Sequence, residues 1–430
     1  MTKGISRREF GKATGATGAT GLALGAAGMA PTLLKAVEGR VVVIGGGPGG
    51  ATVAKYVAKD SNGALAVTLV QNTPQFTTCF YSNIYLAGYR DFDSITHDYD
   101  TLRDKYGIDV IIDTATEIDP AGKKATLAGS RVLNYDRLVV APGIDIIYDS
   151  IEGYSETAAE IMPHAWQAGP QTKLLRRQIE AMEQGGLFIL AAPAEPYRCP
   201  PGPYERACSV AYHFKQHNPS AKILILDAKE TFSKKSLFED AWAKYYEGMI
   251  EWVPGEFGGK VIAVDPTALT VTTDDGPYRA AVANIIPPQR AGAIAHQAGL
   301  TDESGWCPIV PATMQSRTNQ DIHVLGDACI PGDMPKSAFS ANSQAKVCAM
   351  AIRAALTGAE AFSPRFRNTC WSTLAPEDAV KIGASYEATE EKIAKIDAFI
   401  SEVGESSEVR AQTRAEADAW YVSITADIFT

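Results

Sequence analysis

A glycine-rich turn near residue 45 constrains the fold of this chain more than any other feature. The apolar run at residues 41–44 has the character of a buried parallel strand, and it leads into Gly45-Gly46-Gly47-Pro48-Gly49-Gly50 and then a helical stretch. In the dinucleotide-binding form of this pattern, Gly45 makes the tight turn, Gly47 lets the backbone approach a pyrophosphate, and Gly50 allows close helix–strand packing. Because strand, turn and helix follow in the required order, we predict a nucleotide site here rather than a turn without ligand.

The next predicted strand, residues 66–70, carries the second half of this nucleotide site. The residue that ends this strand, about 20 positions beyond the turn, is usually an acid that binds the adenosine ribose. Here that residue is Gln71. Because an amide still hydrogen-bonds a hydroxyl, we expect Gln71 to keep the site but to bind adenosine more weakly.

Two later segments favour FAD over NAD as the ligand. Residues 139–143, Val-Val-Ala-Pro-Gly, look like the strand and turn that close the FAD domain in flavoproteins with two dinucleotide-binding domains, although Thr is commoner than Pro142. Residues 321–327 look like the second FAD fingerprint of those proteins, in which the strand delivers Asp327 to the ribityl chain and pyrophosphate region. With three motifs in the right order, we predict FAD as the cofactor.

A second strand–helix–strand unit follows, but its phosphate loop has lost the glycines. Strands are predicted at 186–190 and 222–227, and the loop at 191–196 reads Ala-Ala-Pro-Ala-Glu-Pro. Pro193 and Pro196 remove backbone N–H donors, and side chains replace the glycines that would admit a phosphate. We therefore predict that the nucleotide-binding fold persists while NAD binding is lost, so that electrons leave to another acceptor.

Three cysteine-containing segments give a more specific resemblance. They are Phe76-Thr77-Thr78-Cys79-Phe80-Tyr81, Tyr197-Arg198-Cys199-Pro200-Pro201-Gly202 and Asn368-Thr369-Cys370-Trp371-Ser372. Together with the motifs above, they resemble the flavoprotein subunit of flavocytochrome c sulfide dehydrogenase, from about Gly39 to the C terminus and most weakly beyond Ala375. The resemblance implies a thioether from Cys79 to FAD and a redox-active disulfide between Cys199 and Cys370. It also implies hydrogen sulfide as the substrate and a c-type cytochrome subunit as the partner.

Plainer interpretations of the same residues stay open at this point. In one alternative, the disulfide between Cys199 and Cys370 is purely structural. In another, Cys79 is a buried, unmodified cysteine. Glu205, six residues beyond Cys199, is a candidate proton shuttle or a surface or salt-bridged side chain. Trp420 in the terminal segment is a candidate cover for the flavin or a core residue.

The remaining cysteines and one histidine pair are expected to carry no chemistry. Cys208 and Cys348 fall in helical stretches as small core residues, and Cys307 and Cys329 fall in apolar or turn contexts. His213 and His217 have a spacing that can bind metal on a helix, but the chain has no His-Glu-x-x-His motif. For that pair we expect a solvated helix face and no metal.

These features define an α/β fold class with two Rossmann-like dinucleotide-binding domains, of the glutathione-reductase-like type, plus a C-terminal interface domain. We assign the FAD-binding domain to residues 37–150 and 286–360, and the vestigial NAD-type domain to residues 151–285. The interface domain takes residues 361–430. Its charged tail, residues 387–418, is expected to be helical in part.

The first 36 residues are interpreted as a targeting segment. Ser6-Arg7-Arg8-Glu9-Phe10-Gly11-Lys12 resembles the twin-arginine export signal, and a weakly apolar stretch follows it; a floppy arm is the alternative. Because this route carries folded proteins with bound cofactors, we predict a periplasmic flavoprotein.

The rest of the composition narrows the possible partners. A formal net charge of -10 argues against nucleic acid as a partner. No later run approaches the roughly 20 apolar residues of a membrane span.

Two rival functions are consistent with parts of this pattern. A sulfide:quinone oxidoreductase shares the flavin and cysteine chemistry, but it delivers electrons into a bilayer and needs an apolar, amphipathic C-terminal region. Residues 388–419 are instead rich in Glu, Lys and Asp. The other rival is a flavin-bearing electron-carrier or interaction protein whose disulfide is structural.

Overall fold

The structure, a computed structural model, describes residues 37–430. Its first part carries the glycine-rich turn and the strands around it. The strands here are β1 (Gly39–Ile44), β2 (Leu65–Gln71), β3 (Phe76–Thr77), β4 (Thr96–His97), β5 (Asp109–Ile112), β6 (Ala115–Asp119), β7 (Lys124–Leu127), β8 (Val132–Asn134), β9 (Arg137–Val140) and β10 (Ile144–Ile146). The helices here are α1 (Pro48–Asp60), α2 (Ser82–Leu86) and α3 (Asp100–Tyr106).

The middle part repeats the alternation of strand and helix. Its strands are β11 (Leu187–Ala192), β12 (Lys222–Asp227), β13 (Ile250–Val253), β14 (Val261–Asp265), β15 (Thr270–Thr273), β16 (Gly276–Arg279) and β17 (Val282–Ile285). Its helices are α4 (Pro170–Ala181), α5 (Gly202–His217) and α6 (Lys235–Tyr245).

The chain then returns to the first sheet and ends in an antiparallel layer. The elements of the return are β18 (Gln289–Ala291), α7 (Ala293–Gln297), β19 (Ile309–Val310), β20 (Gln315–Ser316), β21 (Ile322–Val324) and α8 (Ala338–Thr357). The C-terminal elements are β22 (Arg365–Ala375), β23 (Asp378–Ala388), β24 (Ile393–Ile400) and α9 (Ser407–Phe429).

The largest sheet has the strand order β19-β20-β21-β9-β1-β2-β5 and joins two distant segments of the chain. Strand β1 pairs in parallel with β2 and β9, and β21 pairs in parallel with β9. Residues 41–44 of β1 are buried throughout, as expected for a central parallel strand that is covered on both faces. Helices α1 and α8 pack against each other beside this sheet.

A second, smaller parallel sheet has the order β13-β12-β11-β17. Strands β11 and β12 pair in parallel along their whole length, from Leu187–Lys222 to Ala192–Asp227. Helix α5 connects them, which gives a β-α-β unit. The predicted fold class, two Rossmann-like units followed by a C-terminal domain, is confirmed.

The C-terminal domain is a three-stranded antiparallel sheet, β22-β23-β24, followed by α9. The tail predicted to be helical in part is extended through β24, and its helix begins only at Ser407. Helix α9 returns to the first domain, where the ammonium of Lys55 in α1 donates to the carbonyl oxygens of Ala426 and Asp427 at 3.2 and 2.9 Å. The last helix of the described chain is thereby anchored to the first.

The twin-arginine segment at residues 1–36 lies outside the described residues. Between residues 37 and 430, no helix combines the length and the apolar character that crossing a bilayer requires.

Candidate active site

The glycine-rich turn opens onto a cleft of about 590 Å³. Gly45 has a φ of +100°, a conformation that side chains with a Cβ rarely adopt, and a Cβ there would lie 2.3 Å from the carbonyl oxygen of Ala141. A Cβ at Gly50 would lie 1.8 Å from the carbonyl oxygen of Gly45. Helix α1 begins directly after Gly47, so its N-terminus faces the turn. The backbone at this end of the cleft has the form that receives a phosphate.

Gln71 ends β2 and lines the same cleft. Its side-chain oxygen accepts a hydrogen bond of 2.7 Å from the backbone N–H of Gly46, and its amide nitrogen donates to Asn72 and Thr73. Gln71 therefore fixes the glycine-rich turn as well as bordering the cleft. Its contact with a ribose stays a prediction.

Asp327 borders the cleft from the other segment of the first domain. Its Oδ2 atom lies 3.5 Å from the guanidinium of Arg198, while its Oδ1 atom is buried and has no hydrogen-bond partner. A buried carboxylate oxygen without a donor is rare in folded proteins, because desolvation is then uncompensated. A ligand hydroxyl group would satisfy it.

The residues of this cleft fit FAD. The turn and the N-terminus of α1 suit a pyrophosphate, Asp327 offers a free acceptor for a hydroxyl, and the volume is within the range of about 300–1,000 Å³ found for cofactor sites.

A small cavity of about 90 Å³ adjoins the cleft. Cys79, Arg198, Ser337 and Ala338 line both spaces. Cys79 follows β3 and is partly buried, and burial raises the pKa of its thiol while the positive charge of Arg198 opposes that rise. The predicted flavin-linking cysteine thus lies at the junction of cleft and cavity, but a thioether stays a prediction.

Cys199 and Cys370 meet at this cavity from different domains. Cys199 lies in the loop before α5 with a left-handed φ of 59°, held by a 2.9 Å hydrogen bond from its N–H to the carbonyl of Lys336. Cys370 lies in β22. Both are free thiols in the structure and interact directly: the contact lowers the pKa of Cys370, whereas the contact and burial raise that of Cys199. Two cysteines 171 positions apart are thereby brought together, and their oxidation to a disulfide stays a prediction.

Glu205 also lines the cavity, on the first turn of α5. Its carboxylate accepts 2.8 Å from the backbone N–H of Thr373 in β22 and 2.9 Å from the amide of Asn83 in α2. Burial raises the pKa of Glu205, although both hydrogen bonds act in the opposite direction. A partly buried carboxyl beside a cysteine pair is placed to exchange a proton, and it is not a surface side chain.

Trp420 of α9 forms part of the cavity wall. Its ring packs on Trp371 at a centroid distance of 5.2 Å and on Phe339 at 6.2 Å. The indole nitrogens of Trp166, Trp371 and Trp420 are buried and have no hydrogen-bond partner. Trp420 therefore closes the cysteine cavity, and its contact with a flavin stays a prediction.

Sequence reasoning missed three cationic residues around the cavity. Arg198 lines both cavity and cleft, and its position next to Cys199 was a usable signal. Arg206 is buried, and its guanidinium donates to the side-chain oxygens of Asn83 and Asn284 at 3.0 and 2.8 Å. Lys234 is buried and donates to the carbonyl of Cys370. Nothing in the sequence around Arg206 or Lys234 indicates these contacts, because their partners are distant in the chain.

The loop that corresponds to a second nucleotide site has a different form. Residues 193–201 separate β11 from α5, whereas only residues 45–47 separate β1 from α1. Asp227, the acid that ends β12, is buried and occupied: it accepts from Tyr204 at 2.5 Å and Trp252 at 3.0 Å, and it pairs with Lys229 at 2.6 Å. No carboxylate oxygen of Asp227 is left for a ribose.

The other candidate residues are distributed away from the cavity. Cys208 and Cys348 are buried in α5 and α8, as predicted, and Cys307 and Cys329 are buried neighbours in an isolated bridge. The prediction of a solvated face for His213 is wrong, because His213 is buried against Phe214 and only His217 is exposed. Within residues 37–430 no cluster of side chains suits a metal ion.

Comparison with known proteins gives matches along most of the described chain. The family model for pyridine nucleotide-disulphide oxidoreductases matches residues 39–175. The model for the central part of the sulfide dehydrogenase [flavocytochrome c] flavoprotein chain matches residues 172–287. The flavin-binding model of flavocytochrome c sulphide dehydrogenase matches residues 362–429.

Individual relatives include sulfide-oxidising flavoproteins. The flavoprotein chain of sulfide dehydrogenase [flavocytochrome c] from Chlorobaculum thiosulfatiphilum is 52% identical over 44 residues, which are 10% of this chain and 90% of that sequence. A sulfide-quinone reductase of Aquifex aeolicus is 28% identical over 224 residues, so the match spans half of this chain and half of that relative. The X-ray structure of the sulfide:quinone oxidoreductase from Aquifex aeolicus has a TM-score of 0.72 at 19% identity, covering 90% of this chain and 92% of that one.

Fold and cleft together define a flavin-binding protein of the pyridine nucleotide-disulphide oxidoreductase class. Within that class, the chain belongs to the family of the flavoprotein chain of flavocytochrome c sulfide dehydrogenase. The resemblance seen in the sequence is confirmed.

Proposed function

We propose that this chain oxidises hydrogen sulfide at the Cys199–Cys370 pair and delivers the electrons to a c-type cytochrome subunit. The observation that carries the proposal is the meeting of both cysteines with Glu205 around one cavity, which adjoins the nucleotide cleft at Cys79. Membership of the sulfide dehydrogenase family supports the choice of substrate.

The reaction begins from the disulfide form of the pair. Hydrosulfide attacks one of the two sulfurs, the bond between Cys199 and Cys370 breaks, and a bond to the incoming sulfur forms. The attacked cysteine becomes a persulfide, and the electron pair of the broken bond leaves on the other sulfur as a thiolate. In this step the substrate sulfur is oxidised from sulfide to the outer sulfur of a persulfide, and the sulfur that leaves is reduced from the disulfide level to the thiolate level.

Glu205 supplies the proton chemistry of this step. Hydrogen sulfide that enters as the neutral molecule must lose a proton before it attacks, and the Glu205 carboxylate is the acid–base group on the cavity wall. Its raised pKa brings it closer to the working pH, which favours proton transfer in both directions. The indole rings of Trp371 and Trp420 cover the cavity and keep bulk water away from the thiolate.

FAD bound in the cleft would supply a two-electron acceptor that can pass electrons on one at a time to a haem. The chain's own groups position it: Cys79 is proposed to hold it through a thioether, and Asp327 and the turn at Gly45 to hold its polar part. Because this sequence contains no Cys-x-x-Cys-His motif, the haem is assigned to a partner subunit. We further propose that the protein works in the periplasm after twin-arginine export.

The test is anaerobic mixing with sulfide, followed through the flavin absorbance. Cys199→Ser and Cys370→Ser should stay yellow and lose at least about 100-fold of the bleaching rate, because each removes the electrophilic sulfur pair. Cys348→Ala, a buried cysteine in α8 outside the cavity, is the matched control and should bleach normally. Bleaching of either serine variant at the wild-type rate would contradict entry through the pair.

The same assay distinguishes the electron acceptors. With sulfide present, wild-type protein should reduce cytochrome c and should not reduce a short-chain quinone at a comparable rate. The reverse result would favour a sulfide:quinone oxidoreductase, the function named for the Aquifex aeolicus relative. If sulfide neither bleached the flavin nor reduced either acceptor, despite a normal flavin spectrum, a non-catalytic electron carrier would be favoured.

A further inference from the structure

Lys234 is a buried cation whose surroundings need explanation. It precedes α6, its side chain is only 5% exposed, and its ammonium donates to the carbonyl of Cys370 at 3.2 Å and to the hydroxyl of Ser372 at 2.7 Å. Among the described residues, no carboxylate lies within ion-pair distance of this ammonium. Burying an unpaired ammonium is costly, so a counter-charge is expected close by.

The groups that face Cys370 identify that counter-charge. Cys199, in the loop before α5, hydrogen-bonds the Cys370 thiol and lowers its pKa the most, against burial, which raises it. Lys234, at the start of α6, lowers the pKa of Cys370 further, and Glu205 of α5 raises it. The charges of Cys370, Glu205 and Cys199 each raise the pKa of Lys234, against the larger effect of burial, which lowers it. Of the three charges, that of Cys370 acts most strongly on Lys234. The ammonium also hydrogen-bonds the backbone carbonyl of Cys370, which keeps it next to that residue.

We propose that Lys234 is a positioning residue for the cysteine pair, and that its positive charge holds Cys370 as the thiolate of the reduced pair. In the proposed reaction, this charge favours Cys370 as the sulfur that leaves with the electron pair, so that Cys199 receives the sulfur of the substrate. Only the assignment of Cys370 as the leaving sulfur rests on the proposed function. The effect of Lys234 on the ionisation of Cys370 does not.

Other charges near the pair favour a thiolate at Cys199 instead of Cys370. Cys199 lies close to Gly202, the first residue of α5, and the N-terminus of a helix stabilises a negative charge. Arg198 and Arg206 also lie beside Cys199, and each carries its charge close to that sulfur. If these groups outweighed Lys234, Cys199 would be the thiolate instead.

The experiment measures the ionisation of each cysteine separately in the dithiol form. The protein is reduced and then modified with methyl methanethiosulfonate between about pH 6 and 10, and the modification of Cys370 and Cys199 is followed by peptide mass spectrometry. Lys234→Met removes the charge at similar volume and should raise the half-maximal pH of Cys370 by about one unit or more. Lys234→Arg should keep the wild-type profile.

Lys235→Met is the matched control, because Lys235 is the next residue and pairs with Glu239 on the outside of α6. It should leave the Cys370 profile unchanged. If Lys234→Met does not fold, Ser372→Ala removes the hydroxyl that orients the ammonium and should shift Cys370 in the same direction by less.

Three results would overturn the inference: a folded Lys234→Met protein whose Cys370 profile overlays wild type, no shift in Ser372→Ala, or a wild-type protein in which Cys199 alone ionises near neutral pH. The measurement needs neither sulfide nor cytochrome. An unchanged profile therefore leaves sulfide oxidation standing, and a protein inactive towards sulfide can still show the shift.

Discussion

Glu205 has an environment unlike that of a surface carboxylate. Because burial raises its pKa above the ordinary 4.5, the stability that the protonated group contributes is fully present below about pH 4.5 and is lost as pH rises through the folded-state pKa. Glu205→Gln should remove this dependence. We expect the melting temperature of wild type, relative to the variant, to fall as pH rises from about 4.5 towards neutrality.

Thermal melts of both proteins across this pH range test the expectation. Glu117→Gln, an exposed carboxylate on β6, provides a control for general charge effects. Parallel melting curves for wild type and Glu205→Gln would show that the carboxyl titrates alike in the folded and unfolded states.

Cys79 offers a second prediction at this scale. Its place at the junction of cleft and cavity agrees with a thioether to the flavin. Acid-precipitated wild-type protein should carry its yellow colour into the pellet. Cys79→Ala should release the colour to the supernatant, while its native form still binds FAD through the turn at Gly45 and through Asp327. A colourless wild-type pellet would exclude the covalent link.

Among the elements, the loop at residues 193–201 has the clearest consequence. Its prolines lack N–H donors, and Asp227 behind it is taken by Tyr204, Trp252 and Lys229. We expect NADH and NADPH to bleach the flavin at least about 100-fold more slowly than sulfide does, because the prolines remove N–H donors for a phosphate and Asp227 is already hydrogen-bonded. Stopped-flow absorbance under anaerobic conditions gives both rates. Comparable rates would revive a disulfide-reductase function.

The elements also show which structural features the sequence alone predicts. The glycine-rich turn, β12 and the position of Asp327 follow local rules, because spacing and apolar runs encode them directly. The pairing of Gln71 with Gly46 and of Lys234 with Cys370 depends on chain segments that meet only after folding. His213 illustrates the same limit, since helical spacing indicates a face but not which neighbouring element covers it.

At the scale of the whole molecule, the N-terminal segment and the family assignment make a joint prediction. Protein purified from its native host should come from the periplasmic fraction, begin after the twin-arginine segment, and carry c-type haem on a separate copurifying chain. An absorption spectrum together with N-terminal sequencing tests all three points. A cytoplasmic protein that retains residues 1–36 and lacks haem would contradict both the export route and the cytochrome partner.

Helix α9 has a consequence for how the protein is made. Its Tyr421 hydroxyl lies 3.0 Å from that of Thr78 beside Cys79, and its Phe429 ring packs on Phe76 next to the glycine turn. The ribosome synthesises the glycine-rich turn early and α9 last among the described elements. The contacts of α9 with Thr78 and Phe76 therefore form only after the rest of the described chain has been made.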